Sequence, residues 1–140
     1  MKEFITHYRV IYADTDCMGI VYHANYLRLF EYGRTDFLRE IGCPYEEILA
    51  EDGLNMPLVD IGMQFKKPAR YGEQLKIVTF VQELKNVTVT IGYKIFNEEE
   101  ELLVTGHTRL AFTNPELKPV ALKKQSPRLY EAMSLNYEHK

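Results

Sequence analysis

One imbalance limits what this chain can fold into: a single long helical stretch stands against five β-rich segments. From about His23 to Ile41, the apolar residues Tyr26, Phe30, Phe37 and Ile41 recur at multiples of three to four. Arg28, Arg34, Arg39 and Glu40 fall mostly elsewhere, so the stretch has one apolar stripe. Gly42 followed by Cys43-Pro44 is a stop, because glycine accepts a left-handed cap and proline cannot continue the helix. Asn25 is the expected N-cap. A shorter helix is expected from Pro44 to about Ala50, and Ser126-Pro127 opens a last one. Segments 3–12, 58–66, 74–84, 87–96 and 102–113 are rich in Val, Ile, Thr, Phe and Tyr. In 87–96, Val87, Val89, Ile91, Tyr93 and Ile95 share one face, and Lys85-Asn86 predicts a hairpin before it. A strand, a long helix, a short helix and four consecutive strands predict an antiparallel sheet covering one helix. The fold class is α+β, with residues 1–140 as one domain. A chain of this size buries roughly 68–70% of its unfolded surface, enough for a core without staples.

Composition narrows the function classes. The formal net charge is −3 and the basic residues are scattered, which argues against a nucleic-acid partner. Cys17 and Cys43 have no paired spacing, so a reducing compartment is expected and the cytoplasm is the predicted location. The N-terminus carries no apolar signal core, and no run approaches the ~18 apolar residues that would span a membrane. The only serines are Ser126 and Ser134, with no G-x-S-x-G around either, which removes serine hydrolases. No glycine-rich phosphate loop occurs. Asp14-Thr15-Asp16-Cys17-Met18-Gly19 begins like a calcium loop, but Met18 falls where an oxygen ligand is needed and Asn25 replaces the closing glutamate. The histidines His7, His23, His107 and His139 lack zinc spacing. No metal and no cofactor is expected. Cys17 is a poor nucleophile, because the adjacent Asp16 disfavours its thiolate.

What remains is the run from Tyr12 to Tyr26, in which a loop bearing Asp14 and Asp16 leads straight into the long helix. A helix N-terminus offers unpaired N–H groups and a partial positive charge. Those donors can hold the oxyanion formed when a carbonyl is attacked, and one donor contributes roughly 2.7–4 kcal/mol in the transition state. A carboxylate facing that carbonyl can attack it or activate a water. The arrangement suits acyl transfer. On the residues alone, Asp16 could equally be a turn former, and Asp14 reads as a structural loop cap.

The run resembles the signature of the 4-hydroxybenzoyl-CoA thioesterase family, in its YbgC-like acyl-CoA thioesterase branch. The matching positions of the D-x-D-x-x-G-x-V-[YF]-[HY]-x-N-Y motif are Asp14, Asp16, Gly19, Val21, Tyr22, His23, Asn25 and Tyr26. The likeness continues through Glu31-Tyr32-Gly33-Arg34, through Lys67-Pro68-Ala69-Arg70-Tyr71-Gly72 and through Thr105-Gly106-His107-Thr108. The resemblance implies a hotdog fold, about five antiparallel strands wrapped round one long central helix. It implies an acyl-CoA thioesterase in which Asp16 is nucleophile or general base and the His23 backbone N–H polarises the thioester carbonyl. Gly19, Tyr22 and Asn25 would then be substrate-binding positions, and Lys85 matches loosely a place for the coenzyme A phosphates. Coenzyme A is part of the substrate, and a homodimer or homotetramer with interfacial sites is implied. Glu31, two turns along the helix from His23, is the reserve carboxylate, since another hotdog branch uses a helix-borne glutamate. The alternatives are a hotdog dehydratase or hydratase acting on a 3-hydroxyacyl thioester, and a non-catalytic module binding an acyl thioester or a protein.

Overall fold

In the computed structural model, which describes residues 2–137, five antiparallel strands form one sheet. The strands are β1 (Phe4–Arg9), β2 (Leu58–Phe65), β3 (Gln74–Leu84), β4 (Thr88–Phe96) and β5 (Leu102–Ala111), in the spatial order β1-β3-β4-β5-β2. The helices are α1 (Asn25–Glu40), α2 (Tyr45–Asp52), α3 (Leu122–Gln125) and α4 (Pro127–Tyr137). The expected α+β architecture is borne out. The β segments also fall close to their predicted spans, except that β1 ends at Arg9 because Tyr12–Asp14 coil into a single 3-10 turn.

One face of the sheet carries the core. Val89, Ile91, Tyr93 and Ile95 of β4 are fully buried, whereas Val87 is exposed in the β3–β4 hairpin, where its carbonyl accepts from Phe112. Against this face lies the stripe of α1, formed by Tyr26, Leu29, Phe30, Gly33, Phe37 and Leu38. Phe30 stacks on Tyr93 with ring centroids 4.3 Å apart and planes 4° from parallel. Phe37 meets Phe4 of β1 edge-on at 4.9 Å.

Gly33 sets how closely α1 approaches the sheet. A glycine inside a helix costs about 1 kcal/mol relative to alanine. Here a Cβ would stand 2.6 Å from Thr79 Oγ1 and 2.9 Å from Ile77 Cγ2, both on β3. Gly33 is therefore the residue that lets β3 touch the helix backbone. The helix ends as its sequence dictates, with Gly42 at φ +82° and the Cys43 amide donating back to the Leu38 carbonyl at 2.8 Å.

The helix start differs from the expectation for Asn25. Ala24 occupies the cap position with no side-chain cap, and Asn25 is the first helical residue. The Asn25 carboxamide donates to the Asp14 carbonyl at 2.8 Å, tying the helix to the preceding loop instead of capping its own amides. At the other end of the chain, the Ser126 hydroxyl donates to Asp52 Oδ2 at 2.6 Å and so couples α4 to α2.

Candidate active site at the entrance of the central helix

The loop ahead of α1 is rigid for reasons that lie in Asp14. Its carboxylate is buried, accepting from Tyr8 Oη at 2.8 Å, from the Ile11 amide at 2.9 Å and from the Arg28 guanidinium. Arg28 belongs to the first turns of α1, so one buried carboxylate joins β1, the loop and the helix. Every acceptor position facing these groups is used locally, and Asp14 presents nothing to a ligand.

Asp16 is held differently. Its amide donates to the Ile20 carbonyl at 2.9 Å, and the Gly19 amide donates to the Asp16 carbonyl at 3.0 Å. Gly19 has φ +79°, the left-handed conformation this tight turn requires. One carboxylate oxygen, Oδ1, accepts from the Met18 amide at 2.8 Å. Among the described residues the other has no protein donor. The returning strand is then fastened from outside. The Val21 amide donates to the Ala69 carbonyl at 2.8 Å, Ile20 bridges to Arg70, and the Ala69 amide donates to Tyr26 Oη at 3.3 Å. The Pro68-Ala69-Arg70 loop thus forms one wall, and burial pushes the Tyr26 phenol above its ordinary pKa.

These contacts border an open cavity of about 350 Å³ lined by both Asp16 and His23. Met18, Ile20, Val21, Tyr26, Phe65 and Pro68 give it apolar walls, and Lys66 and Lys67 stand with them. Tyr22 donates its amide to the Asp14 carbonyl at 2.9 Å, and the Asn25 amide donates to the Tyr22 carbonyl at 2.8 Å. Among the described residues, the intervening amides of His23 and Ala24 donate to no protein acceptor. One of these free amides, at the positive end of a 16-residue helix, belongs to His23, which lines the cavity together with the Asp16 carboxylate.

The other candidates lie apart from this cavity within the chain. Gly19 shapes the turn. Tyr22 is exposed, its ring 4.4 Å from that of His23, and Asn25 is committed to Asp14. Lys85 sits in the β3–β4 hairpin, loosely paired with Glu83 at 3.8 Å. Glu31 lines a separate cavity of about 110 Å³ with Arg34 and Tyr45. A larger cavity, about 540 Å³, lies at the far end of α1 beside Cys43 and α4. A 16-residue helix spans about 24 Å, so that cavity is remote from Asp16. Glu40, Arg128 and Glu131 line it beside Cys43, and burial raises the Cys43 thiol. Among the described residues, no three His, Cys, Asp or Glu side chains converge as metal ligands.

Comparison with known proteins decides the family. The pattern described as "Thioesterase superfamily" matches residues 18–104. The chain belongs to the thioesterase superfamily. This thioesterase-family chain is 36% identical over 124 residues to YneP of Bacillus subtilis, covering 88% of its own length and 89% of that protein. It is 31% identical over 117 residues to the acyl-CoA thioester hydrolase YbgC of Escherichia coli O157:H7, covering 83% and 87% of the two chains. The structure of the DHNA-CoA thioesterase from Staphylococcus aureus superposes with a TM-score of 0.91 at 34% identity, covering 96% of this chain and 91% of that one. The hotdog fold and the YbgC likeness read from the sequence are both borne out.

Proposed function

We propose that this thioester hydrolase cleaves acyl-CoA, with Asp16 opening the thioester and the amides at the entrance of α1 holding the oxyanion. The observation that carries the reading is the shared cavity: Asp16, a carboxylate with one free oxygen, and His23, whose amide is unbonded, line it between apolar walls. An acyl group suits those walls, and the carbonyl oxygen suits the amides. Asp16 either attacks the carbonyl carbon or takes a proton from the water that does. The C–S bond then breaks, the thiolate leaves and is protonated to coenzyme A, and water supplies the oxygen of the free acid. The step draws on no metal and no cofactor. Donors held rigid at developing charge contribute roughly 2.7–4 kcal/mol each.

The site in one chain is open on the side of β2. That strand is a sheet edge paired only with β5, and Leu58, Val59, Ile61 and Phe65 on it are 42–56% exposed. A second copy added along β2 would cover these side chains and close the cavity over Phe65. We take a homodimer built this way as the working unit, with pairing of dimers into a tetramer compatible with it. No helix among the described residues is long and apolar enough to cross a membrane. A cytoplasmic location suits the unpaired Cys17 and Cys43. The dehydratase alternative needs a histidine paired with a carboxylate, and it is disfavoured because His23 and Glu31 line different cavities.

The test is release of free thiol from a panel of aliphatic and aromatic acyl-CoAs, for the wild type beside Asp16→Asn. The expected result is turnover by the wild type and loss of at least about a hundredfold in kcat for the variant, which still folds. Full activity of Asp16→Asn would remove Asp16 from the chemistry. Tight acyl-CoA binding without any thiol release by the wild type would make the chain a binding module.

A further inference from the structure

The Asp14 carbonyl holds the entrance of α1 at both ends of one turn. It accepts the Tyr22 amide at 2.9 Å and the Asn25 carboxamide at 2.8 Å, which uses both of its lone pairs. That carbonyl is itself fixed, because the buried Asp14 carboxylate is bound to Tyr8, the Ile11 amide and Arg28. Between the two clamped ends stand His23 and Ala24, whose amides donate to no protein acceptor among the described residues. The Asn25 amide, donating to the Tyr22 carbonyl at 2.8 Å, closes the same turn. Tyr22, His23 and Ala24 are all exposed, so hydrogen bonds and not side-chain packing hold the turn in place. Of these ties only the Asn25 carboxamide comes from a side chain, and it spends nothing on capping the helix.

We propose that Asn25 is a positioning residue for the His23 amide: by gripping the Asp14 carbonyl, its carboxamide sets the direction of that N–H. This role rests on the thioesterase reading, in which the His23 amide polarises the thioester carbonyl, and adds what aims it. A hydrogen bond weakens steeply once its angle falls below about 120°, so direction matters as much as presence. A donor held rigid also needs no reorganisation as charge develops on the oxygen. Releasing the Asn25 tie leaves the His23 amide in the site but free to turn. The loss then falls on the transition state, where the oxygen carries charge, and little on binding. Asn25 itself touches no reacting atom.

The test compares the full wild-type chain with Asn25→Ala and Asn25→Asp, both of which lack the donor. An aspartate in the first turn of α1 suits the helix dipole, so Asn25→Asp keeps the helix while removing the tie. In both variants kcat for acyl-CoA should fall about tenfold to a hundredfold, with KM little changed. The second readout is the infrared carbonyl frequency of a bound butyryl-CoA analogue in which a methylene replaces the thioester sulfur. On wild type that frequency should lie below its value in buffer. On both variants it should move back towards the buffer value, while the urea midpoint of Asn25→Asp stays at that of wild type. Wild-type kcat in both variants would overturn the assignment. So would a fall in kcat with the bound carbonyl frequency unchanged, or a loss confined to Asn25→Ala that tracks its stability. The thioesterase reading fails separately. A wild type that shifts the carbonyl through Asn25 yet releases no thiol from any acyl-CoA would keep the positioning role and remove the hydrolase.

Discussion

Replacing Gly33 by alanine sets two opposed terms against each other inside α1. Helix propensity alone favours alanine by about 1 kcal/mol, and an exposed mid-helix position would show that gain. At Gly33 the new Cβ meets Thr79 Oγ1 at 2.6 Å and Ile77 Cγ2 at 2.9 Å, closer than such atoms normally stand. Neither neighbour is the far end of a flexible chain, because both branch at Cβ on a central stretch of β3. Overpacking of this kind costs about 1–3 kcal/mol. The net expectation is a loss of about 1 kcal/mol in urea unfolding. Thr79→Ala removes the nearer obstacle, and Thr79 Oγ1 is buried without a hydrogen-bond partner among the described residues. The double variant Gly33→Ala/Thr79→Ala should therefore be more stable than the sum of the singles by about 1 kcal/mol. A Gly33→Ala protein about 1 kcal/mol more stable than wild type, with no coupling to Thr79, would refute the reasoning about close approach.

Further outcomes follow from the loop, the helix ties and the open edge. Asp14→Ala strands the Tyr8 hydroxyl and the Ile11 amide and should cost about 2–3 kcal/mol in chemical unfolding; a loss under about 0.5 kcal/mol would contradict its role as the loop's anchor. The Ser126 hydroxyl, and after it the Arg128 guanidinium, hold the Asp52 carboxyl below its ordinary value. A depressed folded value means the contribution is present above the unfolded pKa of about 3.9 and is lost as pH falls through the folded one. Wild type should thus exceed Asp52→Asn in stability at neutral pH, with the gap closing in acid below about pH 4; a gap independent of pH would contradict this. Ile61→Glu, on the free edge of β2, should shift sedimentation of the protein from dimer to monomer, and an unchanged mass would count against pairing along that edge.

The parts legible in the sequence are those set by local pattern. The stripe Tyr26, Phe30 and Phe37 marked α1, and the alternation of Val89, Ile91, Tyr93 and Ile95 marked the buried face of β4, because each period follows from backbone geometry. Asn25 has the right residue type for a cap. Its carboxamide is drawn away by a carbonyl 11 positions earlier in the chain, a tertiary contact that propensity does not encode. Gly33 is a poor residue for the middle of a helix, and only its packing against β3 explains it. The same limit applies at the site. Asp16 and His23 stand out because loop and helix are contiguous, whereas Lys66 joins them only where the end of β2 folds against the loop before α1. The signal that could have found it is the Lys66-Lys67-Pro68 run itself, a pair of cations at a strand end beside the matched loop.

What His23 and Asp16 do to a carbonyl is read directly by a crystal structure with a non-hydrolysable acyl-CoA analogue. The ketone or amide oxygen should lie about 2.7–3.1 Å from the His23 backbone nitrogen. The Asp16 carboxylate should stand about 3–3.5 Å from the carbonyl carbon, or reach it through one water. A carbonyl directed away from the α1 entrance, or an Asp16 side chain facing no part of the bound acyl group, would contradict the mechanism.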